Sequence, residues 1–468
     1  MRPIRHRQSG AALLIMMLVV LAASTAILVN RLGNANLGSA KTAKTVSALG
    51  AARAALLAYA ATEPDRVPGA PVRLPCPDID GTGGFADGEA HDTSCGATGV
   101  NVIGRLPWRT LGMDPKKDAG AACLWYAVSG DYKAATGADA ELLNPDTAGQ
   151  FRVFDADTGA LVNGASPEER PVAVVFAPGE AIGGQVRSAA DVTGCSATFD
   201  PAQYLDAALG INNAALAGTP DGLDDLALAA VASPAHNDRA VFIRQDDLAA
   251  AVNLRHDYDD TMHDLGLAVS ACIAEYARNN SGGATDYRLP WPAPIALPDY
   301  RSPGSYDDVN SVALAGRVPD LVDDSTAEIG NALGAVLSSC DVAAVPSWTT
   351  EMQDRWANWK DHFFYVVSPS FAPMASVPTG CIDCISVNGG GQNAAVVLFA
   401  GPALAGQTRT MPPNDPDTRQ DITNYLEGLN AAAFPFSAGP LDLASALPTA
   451  AFNDRLFCIA ADLTVSEC

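Results

Sequence analysis

Trp125-Tyr126-Ala127-Val128-Ser129 and Phe364-Tyr365-Val366-Val367-Ser368 are one pattern written twice, and their neighbours recur in the same order. Upstream, Tyr59-Ala60 with Arg73-Leu74-Pro75-Cys76-Pro77 returns as Tyr276-Ala277 with Arg288-Leu289-Pro290-Trp291-Pro292. Gly104-Arg105-Leu106-Pro107 returns as Gly316-Arg317-Val318-Pro319. Downstream, Val172–Phe176 and Gly184-Gln185-Val186-Arg187 return as Ala394–Leu398 and Gly406-Gln407-Thr408-Arg409. Tyr204-Leu205-Asp206 matches Tyr425-Leu426-Glu427, and Asn237-Asp238-Arg239 matches Asn453-Asp454-Arg455. Ordered blocks offset by 212 to 239 residues point to a duplicated domain.

Each copy opens on a helical pattern. In the first, Ala48, Ala52, Ala55, Leu56 and Tyr59 form a stripe that Glu63-Pro64 ends; in the second the stripe is Leu265, Val269, Cys272, Ile273 and Tyr276. Pro/Gly-rich loops follow, then short apolar runs at Leu124–Val128, Val172–Phe176, Phe363–Val367 and Ala395–Phe399 that read as strands. A helix followed by antiparallel-looking strands predicts an α+β fold rather than alternating βαβ units.

The 468 residues are 48% hydrophobic and 18% charged, enough to bury cores in two or three domains. Net charge is −24, unevenly spread: residues 1–62 hold seven basic residues and no acid, so removing that +7 leaves −31 for residues 63–468. So acidic a body repels phosphate backbones, which argues against nucleic acid as a partner. Ten cysteines lie in the acidic part.

The N-terminus sets the compartment. Residues 1–10, MRPIRHRQSG, are basic, and Ala11–Val29 is an uncharged apolar run of 19 residues, about 28 Å as a helix and close to a bilayer core. A basic flank before the run leaves the N-terminus inside and the body outside, where cysteines form disulfides. Proximity in sequence predicts the pairs Cys76–Cys95, Cys381–Cys384 and Cys458–Cys468. Asn30–Thr62 is proline-free and Ala-rich, so the apolar helix runs on into an amphipathic one.

A short basic leader ending in Gly10, followed by Ala11-Ala12-Leu13-Leu14-Ile15 and an unbroken apolar helix, resembles the class III leader of type IV pilins and type II secretion pseudopilins. The run LPCPDIDGTGG…IGRLPWRTLG…LWYAVSGDY is similar to that of large prepilin-type proteins. The resemblance implies cleavage between Gly10 and Ala11 by a prepilin peptidase, with methylation of the new terminus. It implies a single inner-membrane helix, a periplasmic head, and assembly with other pilins or pseudopilins on an inner-membrane platform. Most of the family carries glutamate at the fifth mature residue; here it is Ile15, and large K-type minor pseudopilins and some minor pilins, read as tip or priming subunits, also lack the glutamate. The expected layout is thus a leader (1–10), a transmembrane and filament-core helix (11–29), an extended helix with the first pilin-like head copy (30–255) and a second head copy (256–468). Two other readings of the N-terminus are a conventional signal peptide and a plain anchor, each of which would make the body an exported binding protein or adhesin.

Other motifs are weighed against plainer roles. Asp78-Ile79-Asp80-Gly81-Thr82-Gly83 with Asp87 and Glu89 partly meets a calcium-loop pattern, against which stands an acidic turn tied by Cys76–Cys95. Apart from calcium, no cofactor is expected. Cys381-Ile382-Asp383-Cys384 has redox spacing but precedes Ile385-Ser386-Val387 and a glycine run, and reads as a loop disulfide. His256 to Asp264 reads as an acidic helix start rather than a metal site, and Gly389-Gly390-Gly391 as a turn between strands. Trp356 and Trp359 read as packing their own domain. Neither Gly-x-Ser-x-Gly nor His-Glu-x-x-His occurs, and a non-enzymatic role is expected.

Overall fold

The computed structural model describes residues 39–468 except 70, 80–84, 92–94, 135–141, 189–193, 196–197, 230–232, 234, 254, 256, 280–286, 298–300, 309–312, 323–335, 374–380, 410–418 and 437–439. Gly10, Ala11, Ile15 and the apolar run Ala11–Val29 lie outside the described residues. Among the described residues, no helix is long and apolar enough to cross a membrane.

Helix α1 covers residues 39–61. Its first six residues are exposed, and from Thr45 onward Ala48, Leu49, Ala52, Leu56 and Ala60 are buried at three- and four-residue spacing. Ala55 and Tyr59, expected on this stripe, flank it half-buried. The helix breaks at Thr62, and the chain makes one more turn, α2 (Glu63–Arg66), with Pro64 at its start.

The first half contributes β1 (Val102–Arg105), β2 (Trp125–Val128), β3 (Phe151–Asp155), β4 (Leu161–Asn163), β5 (Pro171–Ala177), the ribbon β6 (Ala207–Ala208) and β7 (Ile211–Asn212), β8 (Asp224–Leu228) and β9 (Arg239–Arg244). β1-β2-β5-β9 form an antiparallel sheet, and β4-β3-β8 a smaller one with β3 and β8 parallel. One face of the four-stranded sheet packs on α1 through Leu56, Tyr126, Val175 and Ile243. The other packs on Phe151, Tyr204 and Leu226 through Trp125, Val174 and Phe176. With both faces covered, all seven residues of β5 are buried, so its sequence reads as a continuous apolar run rather than an alternation.

Helices α3 (Gln245–Asn253) and α4 (Tyr258–Asn279) lead into the second half: β10 (Ala315–Arg317), α5 (Thr350–Trp359), β11 (Phe363–Val367), β12 (Ile385–Val387), β13 (Gly390–Phe399), α6 (Gly428–Ala432), β14 (Asp442–Leu443), β15 (Arg455–Ala460) and β16 (Val465–Glu467). Its central order is β10-β11-β13-β15, again antiparallel, with β12 and β14 at the start of β13 and β16 bordering β15. The registers agree across the halves: Gly104, Tyr126 and Val175 lie opposite one another in the first sheet, and Gly316, Tyr365 and Val397 in the second. The buried face of α4 (Leu265, Val269, Cys272, Ile273, Tyr276) covers this sheet as α1 covers the first. The fold is α+β, with several sheets.

The repeated Gly-Arg pair has a steric cause. Asp78 bridges Arg105 and Ala293 bridges Arg317, running the preceding loop against the sheet edge. A Cβ on Gly104 would stand 2.5 Å from the Asp78 carbonyl oxygen, and one on Gly316 would meet the Ala293 carbonyl, so only glycine admits this approach.

Five disulfides join Cys76–Cys95, Cys123–Cys195, Cys272–Cys340, Cys381–Cys384 and Cys458–Cys468, each within one half. Three are the pairs expected from proximity. Cys123–Cys195 and Cys272–Cys340, 72 and 68 residues apart, follow from the fold: the first ties the start of β2 to the loop after β5, the second pins α4 to the loop before α5.

Candidate functional site

The described carboxylates of the calcium pattern each have their own partner. Asp78 is fully buried and its Oδ2 accepts from Gly88 N at 2.8 Å, while Glu89 Oε2 accepts from Ala86 N at 2.9 Å. Asp87 Oδ2 accepts from Cys195 N at 3.1 Å, and its Oδ1 lies 3.5 Å from Arg105 Nη1. Each carboxylate serves its own backbone turn or cation, and Asp80 lies outside the described residues. Among the described residues, no three His, Cys, Asp or Glu side chains converge on a metal position.

Cys381–Cys384 closes a loop ahead of β12, and Asn388 and Gly389 make the tight turn to β13 with φ of 53° and 73°. His263 lies on α4 between Asp264 and Glu467, and His256 falls outside the described residues. Trp356 packs edge-on against Phe363 in the core of its half, whereas Trp359 is only partly buried and reaches the junction of the halves.

The duplicated blocks build one polar latch twice. Arg187 Nη1 donates to Gly179 O at 2.7 Å and Arg409 Nη1 to Gly401 O at 2.6 Å. Each guanidinium also donates to the carbonyl of Tyr204 or Tyr425, lies about 5 Å over that ring, and bonds Gln185 or Gln407. Asp238 Oδ2 accepts from Asp206 N and Asn213 Nδ2; Asp454 Oδ2 accepts from Glu427 N and Asn430 Nδ2. Burial, and then Asp206, push the Asp238 carboxyl up to about 8, and burial drives Asp454 the same way. The recurring Gln-x-Arg, Tyr-Leu-acid and Asn-Asp-Arg motifs are therefore packing devices that fasten the segments after β5 and β13.

A second buried network joins the halves. His362, 1% exposed, places Nε2 at 2.8 Å from Asp146 Oδ2 of the first half and Nδ1 at 3.0 Å from its neighbour Asp361. Asn144 Nδ2 donates to Asp361 Oδ1 at 2.8 Å, and Leu143 N to Asn358 Oδ1 at 2.9 Å. Burial alone would push the imidazole down, but Asp361 and Asp146 outweigh it and hold it up at about 9. Burial likewise raises Asp361, and His362, Arg419 and Arg317 outweigh it, leaving that carboxyl below its ordinary range. The lone polar triplet Lys360-Asp361-His362 just before the apolar β11 was the available sequence signal.

Beside this clamp lies a cleft of about 250 Å³ between the halves. Pro64, Pro68, Pro71 and Tyr132 wall it from the first half, Leu248 and Val252 from α3, and Tyr258, Met262 and Trp359 from the second half. Arg255 spans its rim, donating at 2.7 Å to Asp65 Oδ1, Asp257 Oδ2 and Ala61 O. Arg355 pairs with Glu351 at 2.6 Å. The rim charges are engaged with one another around an aromatic and proline-lined interior, an arrangement suited to holding an apolar group.

No protein-family model, curated protein or solved structure matches this chain.

Proposed function

We propose that the protein is a non-enzymatic minor pilin or pseudopilin, inserted in the inner membrane by Ala11–Val29, processed after Gly10 and placed at the tip of a filament it initiates or caps. The observation that supports this reading is a helix, α1, that follows the apolar run in sequence and buries one stripe against the first sheet. Residues 39–44 are exposed, with Lys41 paired to Glu180 at 2.7 Å, and the helix buries side chains against the first sheet only from Thr45. One helix would thus serve two solvents: an apolar stretch for the membrane or filament core, and an amphipathic stretch for the sheet of the head. Ile15 supports a terminal position, because the charge that registers neighbouring shaft subunits is missing. Five disulfides suit a periplasmic head, and a head of about 400 residues is too bulky for dense helical stacking.

The reading is tested at Gly10. In a host with a prepilin peptidase and its assembly platform, Gly10→Val should leave the chain as a full-length precursor in the inner membrane and lower the number of filaments or secreted cargo. Processing that continues unchanged in Gly10→Val would overturn it.

A further inference from the structure

The duplication compares each half with the other, and the two sheets differ at one edge. Val174 pairs with Phe242 as Val396 pairs with Cys458, which aligns Arg239–Arg244 of β9 with Arg455–Ala460 of β15. In the second half the outer edge of β15 is filled: β16 pairs antiparallel with Phe457, Cys458 and Ile459. Leu456 O also accepts from Cys468 N, and Ala460 N donates to Thr464 O. The Cys458–Cys468 disulfide fastens this added strand. In the first half the chain turns from β9 into α3, and no strand lies beyond β9 among the described residues.

The equivalent outward groups of β9 belong to Ala240, Phe242 and Arg244. Phe242 O accepts from Arg53 Nε at 3.1 Å, and Arg244 N donates to Asp247 Oδ2 at 3.0 Å. The N–H and C=O of Ala240 and the N–H of Phe242 have no such partner among the described residues. The side chains differ in the same sense. Val241 and Phe242 are half-buried where Phe457 and Cys458 are buried, and Val46 of α1, aligned with His263, is 58% exposed. Arg455 lies 3.5 Å from Asp259, whereas its counterpart Arg239 has no carboxylate partner among the described residues.

We infer that the outer edge of β9 is a strand-docking site for an extended segment of another protein, which pairs antiparallel as β16 does on β15 and carries an apolar residue opposite Val241 and a carboxylate opposite Arg239. Unpaired edge groups template such an addition. The apolar residue covers Val46 and Val241, and the acid supplies what Asp259 supplies to Arg455. A second copy of this chain fits poorly, because antiparallel β9 edges centred on Val241 and Phe242 would set Arg239 against Arg244, and like charges directly opposite destabilise a pair. The inference stands on the comparison of the halves and does not require the pilin reading.

The test uses the full-length protein in detergent and a capped peptide, Thr-Val-Ser-Val-Thr-Glu, labelled for fluorescence anisotropy. Saturable binding is expected, with slowed hydrogen exchange at the amides of Ala240 and Phe242. Replacing the peptide's Glu by Lys should weaken binding about fivefold, and Arg239→Glu should reverse that preference. No binding, slowed exchange elsewhere than β9, indifference to both charge changes, or self-association through β9 would each overturn the inference.

Discussion

Replacing His362 by leucine is expected to destabilise the protein by about 3–5 kcal/mol, because removing one member of a buried charge cluster leaves the others unpaired. Asp146 and Asp361 are 4% and 0% exposed and would both lose their shared cation. The loss should appear as a lower urea midpoint, and Asp146→Asn combined with His362→Leu should cost less than the sum of the single changes. The same group sets a pH dependence. Its folded pKa of about 9 lies above the ordinary 6.5, so its contribution is full below pH 6.5 and is lost as pH rises through 9. Asp238 acts in the same direction: its folded pKa of about 8 stands above 3.8, so the stabilisation present below 3.8 is gone by 8. The wild-type thermal midpoint should fall between pH 6.5 and 9.5, and His362→Leu should flatten the part of the fall above pH 8. A midpoint that rises over this range contradicts the clamp.

Removing the Cys272–Cys340 disulfide by a double alanine substitution should cost about 4 kcal/mol, from the loop entropy that a long cross-link removes from the unfolded chain. The bridge spans 68 residues and anchors the buried face of α4. Removing Cys381–Cys384, which spans only three, should cost less than about 2 kcal/mol by the same relation. Urea unfolding of the two variants under oxidising conditions compares them directly. Equal losses would mean that unfolded-state entropy is not how these bridges act.

Much of the fold was legible because its central strands are buried on both faces. Leu124–Val128, Val172–Phe176 and Phe363–Val367 stand out as apolar runs, and each strand of the structure matches within two residues. The stripes of α1 and α4 were legible for the related reason that each helix has one buried face. Three disulfides followed from short separations, whereas Cys123–Cys195 and Cys272–Cys340 depend on tertiary approach that spacing does not encode. The carboxylates at Asp78, Asp87 and Glu89 looked alike in sequence, yet one is fully buried against a backbone amide and the others cap separate groups. The His362 clamp was hidden because Asp146 and His362 come from different halves, and no periodicity links residues 216 apart. Arg187 and Arg409 were visible as motif letters, but the carbonyls of Gly179, Tyr204, Gly401 and Tyr425 that they bond leave no mark in a sequence.

The most direct test of the central claim, that one processed helix joins a membrane or filament core to the duplicated head, is the intact mass of the protein purified from its own membranes. A mature chain that begins at Ala11, with or without one added methyl group, is the expected result. A chain that begins near Ile27, or one still carrying residues 1–10 in the presence of a functional prepilin peptidase, would contradict it.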